Sequence, residues 1–206
     1  MSTNSETLHG NAPDKSPVVL LIVDIINDLE FEGGEQLLET ALPTAAKIAA
    51  LKRRVKQLQI PVVYVNDNFG KWQSDFKKLL AHCLEDEVRG QPLATLLRPD
   101  EDDYFVLKPK HSGFFSTTLD TLLEYLGVES LILTGLTGDI CILFTANDAY
   151  MRDYRLFIPN DCVASQDETI NRQMLEHMSR VLKADIRSSE ELELKAMVTE
   201  HQPRTD

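Results

Sequence analysis

The chain has 206 residues, a length that suits one large domain, because single hydrophobic cores stop growing near ~250–300 residues. Thirty-three acidic residues against 21 basic ones give a formal charge of -12, and a surface of that sign repels phosphate backbones and anionic leaflets, so neither nucleic acid nor a membrane is an expected partner. Three widely spaced cysteines without a CxxC pair argue against a disulfide framework and against a thiolate zinc site. With no secretory leader and no apolar run of about 18 residues, the expected location is the cytoplasm.

Residues 1–16 are polar, with Gly and Pro, and are expected to form a flexible N-terminal tail. The domain proper is expected over 17–195, and a C-terminal tail over 196–206. Pro17–Asp24 (PVVLLIVD) is almost wholly β-branched and Leu, the pattern of a strand buried on both faces. Ala41–Gln59 spaces its apolar residues as a helix does, and Pro61–Asn66 (PVVYVN) is a second strand. Asp75–Leu84 is a short helix, and Leu93–Leu97 is expected in a loop. Tyr104–Lys108 is a third strand, closed by Pro109, which cannot donate a ladder bond. Thr117–Leu126 is a helix stopped by Gly127. Ser130–Gly135 is a fourth strand and Asp139–Asp153 a helix. Arg155–Pro159 is a fifth strand, Thr169–Lys183 a helix, and Ala184–Arg187 a short sixth strand.

Strands alternating with helices imply an α/β fold with a parallel sheet covered on both faces, because right-handed crossovers place helices there. Ligands of such sheets bind outside the carboxyl ends of the strands. That rule singles out Asp24, Lys108 and the turn leading to Cys141. Cys141 falls in the first turn expected of its helix, where the helix dipole favours a thiolate; the plainer alternative is a small buried hydrophobe. Asp24 ends a buried strand, as a general base with a raised pKa does, or as a turn residue does, a role for which Asn27 and Asp28 compete. Lys108 is suited to pair with Asp24 or with a developing anion, or is a solvated surface residue; strand alternation puts Lys110 on the same side, so pattern alone does not separate them. A Cys–His site using His111 or His177 lacks a recognisable partner pattern.

Three segments together resemble the isochorismatase-like cysteine hydrolases, a superfamily that includes nicotinamidases and N-carbamoylsarcosine amidases. The resemblance runs from Val18 to Ile186. Val23-Asp24-Ile25-Ile26-Asn27-Asp28-Leu29 matches the motif with the catalytic Asp. Lys108-Pro109-Lys110-His111-Ser112-Gly113-Phe114 matches the Lys motif and selects Lys108. Gly135-Leu136-Thr137-Gly138-Asp139-Ile140-Cys141-Ile142 matches the nucleophile motif. Ile26 replaces a frequent Gln, and Gly138 stands where Thr is common, a change expected to loosen the turn.

The resemblance implies a three-layer α/β/α fold with a six-stranded parallel sheet in the order 3-2-1-4-5-6. It implies a triad of Asp24, Lys108 and Cys141, and an oxyanion hole made by the backbone N–H groups of Thr137 and Cys141 beside a cis Leu136–Thr137 bond. It also implies a homodimer or homotetramer, with Lys71–Leu84 as a segment near a neighbour. Asn68, Phe69, Trp72, His111 and Phe114 are the candidate substrate contacts, with Phe115 a further aromatic candidate. The nicotinamidases' metal-binding Asp and His residues follow strand two; here no His occurs until His82, so neither a metal nor another cofactor is expected. The expected activity is hydrolysis of an amide, ureido or carbamoyl C–N bond in a small molecule through a thioester. The alternatives are ether or ester hydrolysis, or a silent binding protein of the same fold.

Overall fold

The computed structural model describes residues 15–69 and 75–199. Trp72, the start of the Lys71–Leu84 segment and most of both expected tails lie outside the described residues.

Strand β1 (Val18–Val23) is buried along its whole length. Its side chains alternate between two cores, as the two-residue period of a strand requires. Val18, Leu20 and Ile22 join one cluster, which contains Leu37, Ile48 and Val55. Val19, Leu21 and Val23 join the other, which contains Leu123, Ala146 and Met178. The first cluster lies under α1 (Gly34–Gln57), α2 (Phe76–Glu85), α3 (Gln91–Leu96) and α7 (Leu194–Thr199). The second lies under α4 (Leu119–Leu126), α5 (Leu143–Tyr150) and α6 (Glu168–Leu182). The result is the expected three-layer sandwich.

The central sheet also contains β2 (Val62–Asp67), β3 (Tyr104–Lys108), β4 (Ser130–Leu136), β5 (Arg155–Phe157) and β6 (Val163–Ala164). Its order is β3-β2-β1-β4-β5, with parallel pairings and with β6 paired to β4. The sixth strand is therefore Val163–Ala164, two residues too short to show a period in sequence. Ala184–Arg187 contributes only a bridge between Phe157 and Asp185. Among the described residues, no helix is long and apolar enough to cross a membrane.

Other elements differ at their edges. Helix α1 begins at Gly34 and runs through Pro43. A proline inside a helix removes a backbone bond, but the buried Leu37 and Ala41 continue the stripe of Ala45 and Ile48, so burial outweighs that loss. The expected loop at Leu93–Leu97 is largely α3, where Leu93 and Ala94 are fully buried; one and a half turns are too few to display helical periodicity. Gly127 takes the left-handed conformation (φ 72°) at the end of α4, as expected. Helix α7 crosses the expected domain boundary at residue 196, and Met197 and Val198 pack on the first core.

Candidate active site

The carboxyl ends of β1, β2, β3 and β4 converge on one cluster of charges. At the end of β1 the backbone of Asp24 turns into the left-handed region (φ 52°), which Asp tolerates better than β-branched residues do. Its N–H still donates to Val65, and its Oδ1 accepts from the Asp67 N–H at 2.8 Å. Lys108 pairs in register with Asp67 on the adjacent strand. From there its side chain, wholly buried, places Nζ 2.8 Å from Asp24 Oδ2 and 3.5 Å from Asp67 Oδ2. Lys110, by contrast, is exposed.

Cys141 completes the cluster, with Lys108 Nζ 3.4 Å from its Sγ. It does not lie in the first turn of an α-helix. A π-helical turn spans Gly138–Ile142 and runs directly into α5. The Thr137 carbonyl accepts from Ile140 and Ile142 at 3.2 and 3.0 Å. Just before this turn, the Leu136–Thr137 bond is cis, as the resemblance implies. Gly135 (φ 119°) lets β4 approach β1 closely, because a Cβ there would collide with the Val23 carbonyl. Gly138 does not loosen the turn: the space a side chain would fill is taken by the Asn171 carboxamide and Val163.

The charges are strongly coupled. Burial pushes the Asp24 carboxyl above its ordinary value, against the opposing pull of Lys108. Burial also disfavours the Lys108 ammonium, but Asp24, Cys141 and Asp67 outweigh it and hold the group above its ordinary value. The Cys141 thiol is pushed up to about 12, by burial first and then by the Asp24 charge, with Lys108 opposing. Burial and the Asp24 charge thus oppose the helix start that favours a thiolate, and Asp24 is the neighbouring group placed to accept the sulfur's proton. Cys83 and Cys162 are fully buried, and burial pushes both of their thiols up.

A cavity of about 400 Å³ opens above Cys141, a volume suited to a small molecule. Its walls include Asp24, Thr137, Phe69 and His111, four of the residues singled out in the sequence. His111 also packs on Phe144, with ring centroids 5.4 Å apart. Asn68 and Phe114 are not among the cavity walls. Asn68 is buried, and its N–H donates to the Lys108 carbonyl. The Phe114 ring faces Tyr154 and lies under Arg152, within the second core. Phe115 is exposed and likewise no wall of the cavity.

Sequence reasoning missed Asn27, Phe31, Asp67, Asp139, Gln166, Asp167 and Ile170, all of which line the cavity. Asp67 was within reach of it, because it ends a strand on the functional edge. Gln166 and Asp167 arrive by way of β6, which has no sequence pattern. Among the described residues, one group of carboxylates is close enough to share a cation, Asp100, Asp102 and Asp103. It is paired with Lys52 and Lys56 and contributes nothing to the cavity.

The isochorismatase domain family matches residues 18–191. The chain belongs to this family. It is 43% identical over 178 residues to the isochorismatase family protein YaaI of Bacillus subtilis, covering 86% of this chain and 97% of that protein. It is 32% identical over 172 residues to the isochorismatase of Bacillus subtilis, covering 80% of this chain and 54% of that longer protein. Among solved structures, the N-carbamoylsarcosine amidase of Thermoplasma acidophilum superposes with a TM-score of 0.68 at 29% identity, covering 85% of this chain and 98% of that one.

Proposed function

We propose that this isochorismatase-family protein hydrolyses an amide, ureido or carbamoyl C–N bond of a small molecule, with Cys141 as nucleophile, Asp24 as proton carrier and Lys108 as charge stabiliser. The observation that carries this reading is the placement of one buried ammonium 2.8 Å from Asp24 and 3.4 Å from the Cys141 sulfur. Likeness to an N-carbamoylsarcosine amidase supports the same bond class.

Asp24 takes the thiol proton, and the sulfur attacks the carbonyl carbon, whose π electrons move onto oxygen. Lys108 keeps the cluster from accumulating negative charge. Thr137 and Cys141 line the cavity, and in this reading their backbone N–H groups hold the oxyanion; one such donor contributes about 2.7–4 kcal/mol. As the intermediate collapses, the C–N bond breaks and Asp24 returns the proton to the leaving nitrogen. Water, deprotonated by Asp24, then attacks the thioester; the sulfur leaves and recovers its proton. No step requires a metal.

Ammonia release from a panel of amides, ureido acids and carbamoyl compounds tests the reading. At least one member is expected to turn over, and silence across the panel with intact fold would overturn it. The 32% identity to an isochorismatase favours a second reading, ether hydrolysis. Protonation of an ether oxygen by Asp24 does not need the thiol, so ether cleavage surviving Cys141→Ala would select that reading.

A further inference from the structure

The charge of the cavity defines the substrate class more narrowly. Four carboxyl groups line it: Asp24, Asp67, Asp139 and Asp167. Against them, among the described residues, stands one ammonium, Lys108, wholly buried and already committed to Asp24 and Asp67. Among the described residues, no Arg or Lys side chain forms part of the cavity wall. Helix α6, whose first residues reach the cavity through Ile170, offers a positive N-terminal end of the kind that binds carboxylates. That end is closed by the protein's own carboxylate, because Asp167 Oδ1 accepts from the N–H groups of Thr169 and Ile170 at 2.7 and 3.1 Å. The remaining walls include the imidazole of His111, the apolar side chains of Phe31, Phe69 and Ile170, and the neutral amides of Asn27 and Gln166.

We propose that this cavity admits neutral or cationic amides with an apolar body and rejects carboxylate-bearing ones, with Asp139 and Asp167 supplying the discrimination. The proposal rests on the same site as the amidohydrolase reading but concerns entry to the cavity rather than turnover. Among the described residues, an anion entering it meets four carboxyl groups against one ammonium, in a region of reduced dielectric where charge interactions exceed those in water. A cation meets the reverse.

The test uses small reagents that alkylate Cys141 without any amidase chemistry: iodoacetamide (neutral), iodoacetate (anionic) and (2-bromoethyl)trimethylammonium (permanently cationic). Rates at Cys141 are followed by mass spectrometry at pH 8.5, where imidazoles are uncharged, and each is divided by the rate with free cysteine. The iodoacetamide-to-iodoacetate ratio is expected to exceed that of free cysteine by about tenfold at low salt, and to shrink in about 1 M KCl, where the Debye length is ~3 Å. In the Asp139→Asn/Asp167→Asn double variant the ratio is expected to fall at least about threefold, since Asn keeps the helix cap while removing the charge. The normalised rate with (2-bromoethyl)trimethylammonium is expected to exceed that of iodoacetamide in the wild type. A normalised ratio near one, or a ratio insensitive to both salt and the double variant, would overturn the proposal. The two readings fail separately. Turnover of carboxylate-bearing amides as fast as neutral ones would overturn charge selection and leave the amidohydrolase standing. Absence of any turnover, with the alkylation ratio intact, would do the opposite.

Discussion

Replacing Lys108 by methionine keeps the length and apolar stem of the side chain and removes its charge. The loss is large because the ammonium is wholly buried between two carboxylates. At an effective dielectric of about 20, unit charges 2.8 and 3.5 Å apart attract by about 6 and 5 kcal/mol. Desolvation offsets much of that, and removing one member of a buried pair costs about 3–5 kcal/mol in practice. We expect Lys108→Met to be destabilised by about that amount at pH 8, and by less at pH 5. The sign follows from Asp24. Its pKa is already raised by burial, and loss of the cation raises it further above the unfolded value of about 3.9. A raised folded-state pKa leaves stability intact below the unfolded value and removes it as pH climbs toward the folded one, so the deficit of the variant grows between pH 5 and pH 8. Urea unfolding of wild type and variant at both pH values, at one fixed protein concentration because assembly affects apparent stability, measures it. The Asp24→Asn/Lys108→Met double variant is expected to recover part of the loss. A deficit under about 1 kcal/mol, or an equal deficit at both pH values, would refute the coupling described here.

Three further outcomes are expected, the first from the geometry of Asp24 and the other two from the family resemblance. Because the proton acceptor must be ionised and burial raises the pKa of Asp24, kcat/KM on an amide substrate is expected to fall as pH drops, with the acid limb above the ordinary carboxylate range; a limb at or below that range contradicts the assignment. Activity is expected to persist after exhaustive chelation, and its loss with restoration by zinc, manganese or iron would show that a metal is needed. The chain is expected to form a homodimer or homotetramer, and light scattering that returns a 23.3 kDa particle at micromolar concentration would contradict this.

The parts of this molecule legible in sequence are those fixed by a local rule. Pro17–Asp24 reads as a buried strand because both faces are apolar, and the structure buries both. Asp24, Lys108 and Cys141 stand out because strand ends carry the sites of parallel sheets, and the structure brings all three together. What was not legible depends on register and packing. Asp67 joins the cluster because β2 and β3 pair so that it lies opposite Lys108. Gln166 and Asp167 reach the cavity through a two-residue strand. Phe114 was expected at the cavity as one of several aromatic candidates, yet its ring lies in the core beside Tyr154. That burial pushes the Cys141 thiol up was likewise not legible, because it depends on packing and not on the helix start.

The central claim is that Cys141 forms a covalent bond with the substrate acyl group. Once a turned-over amide is in hand, acid-quenched intact mass spectrometry during steady-state turnover tests it directly. The account predicts a mass increase equal to the acyl fragment without its amine, located on the peptide carrying Cys141, present in Cys83→Ala and Cys162→Ala proteins and absent from Cys141→Ala, which should release no ammonia. Near-normal ammonia release by a folded Cys141→Ala protein would contradict it.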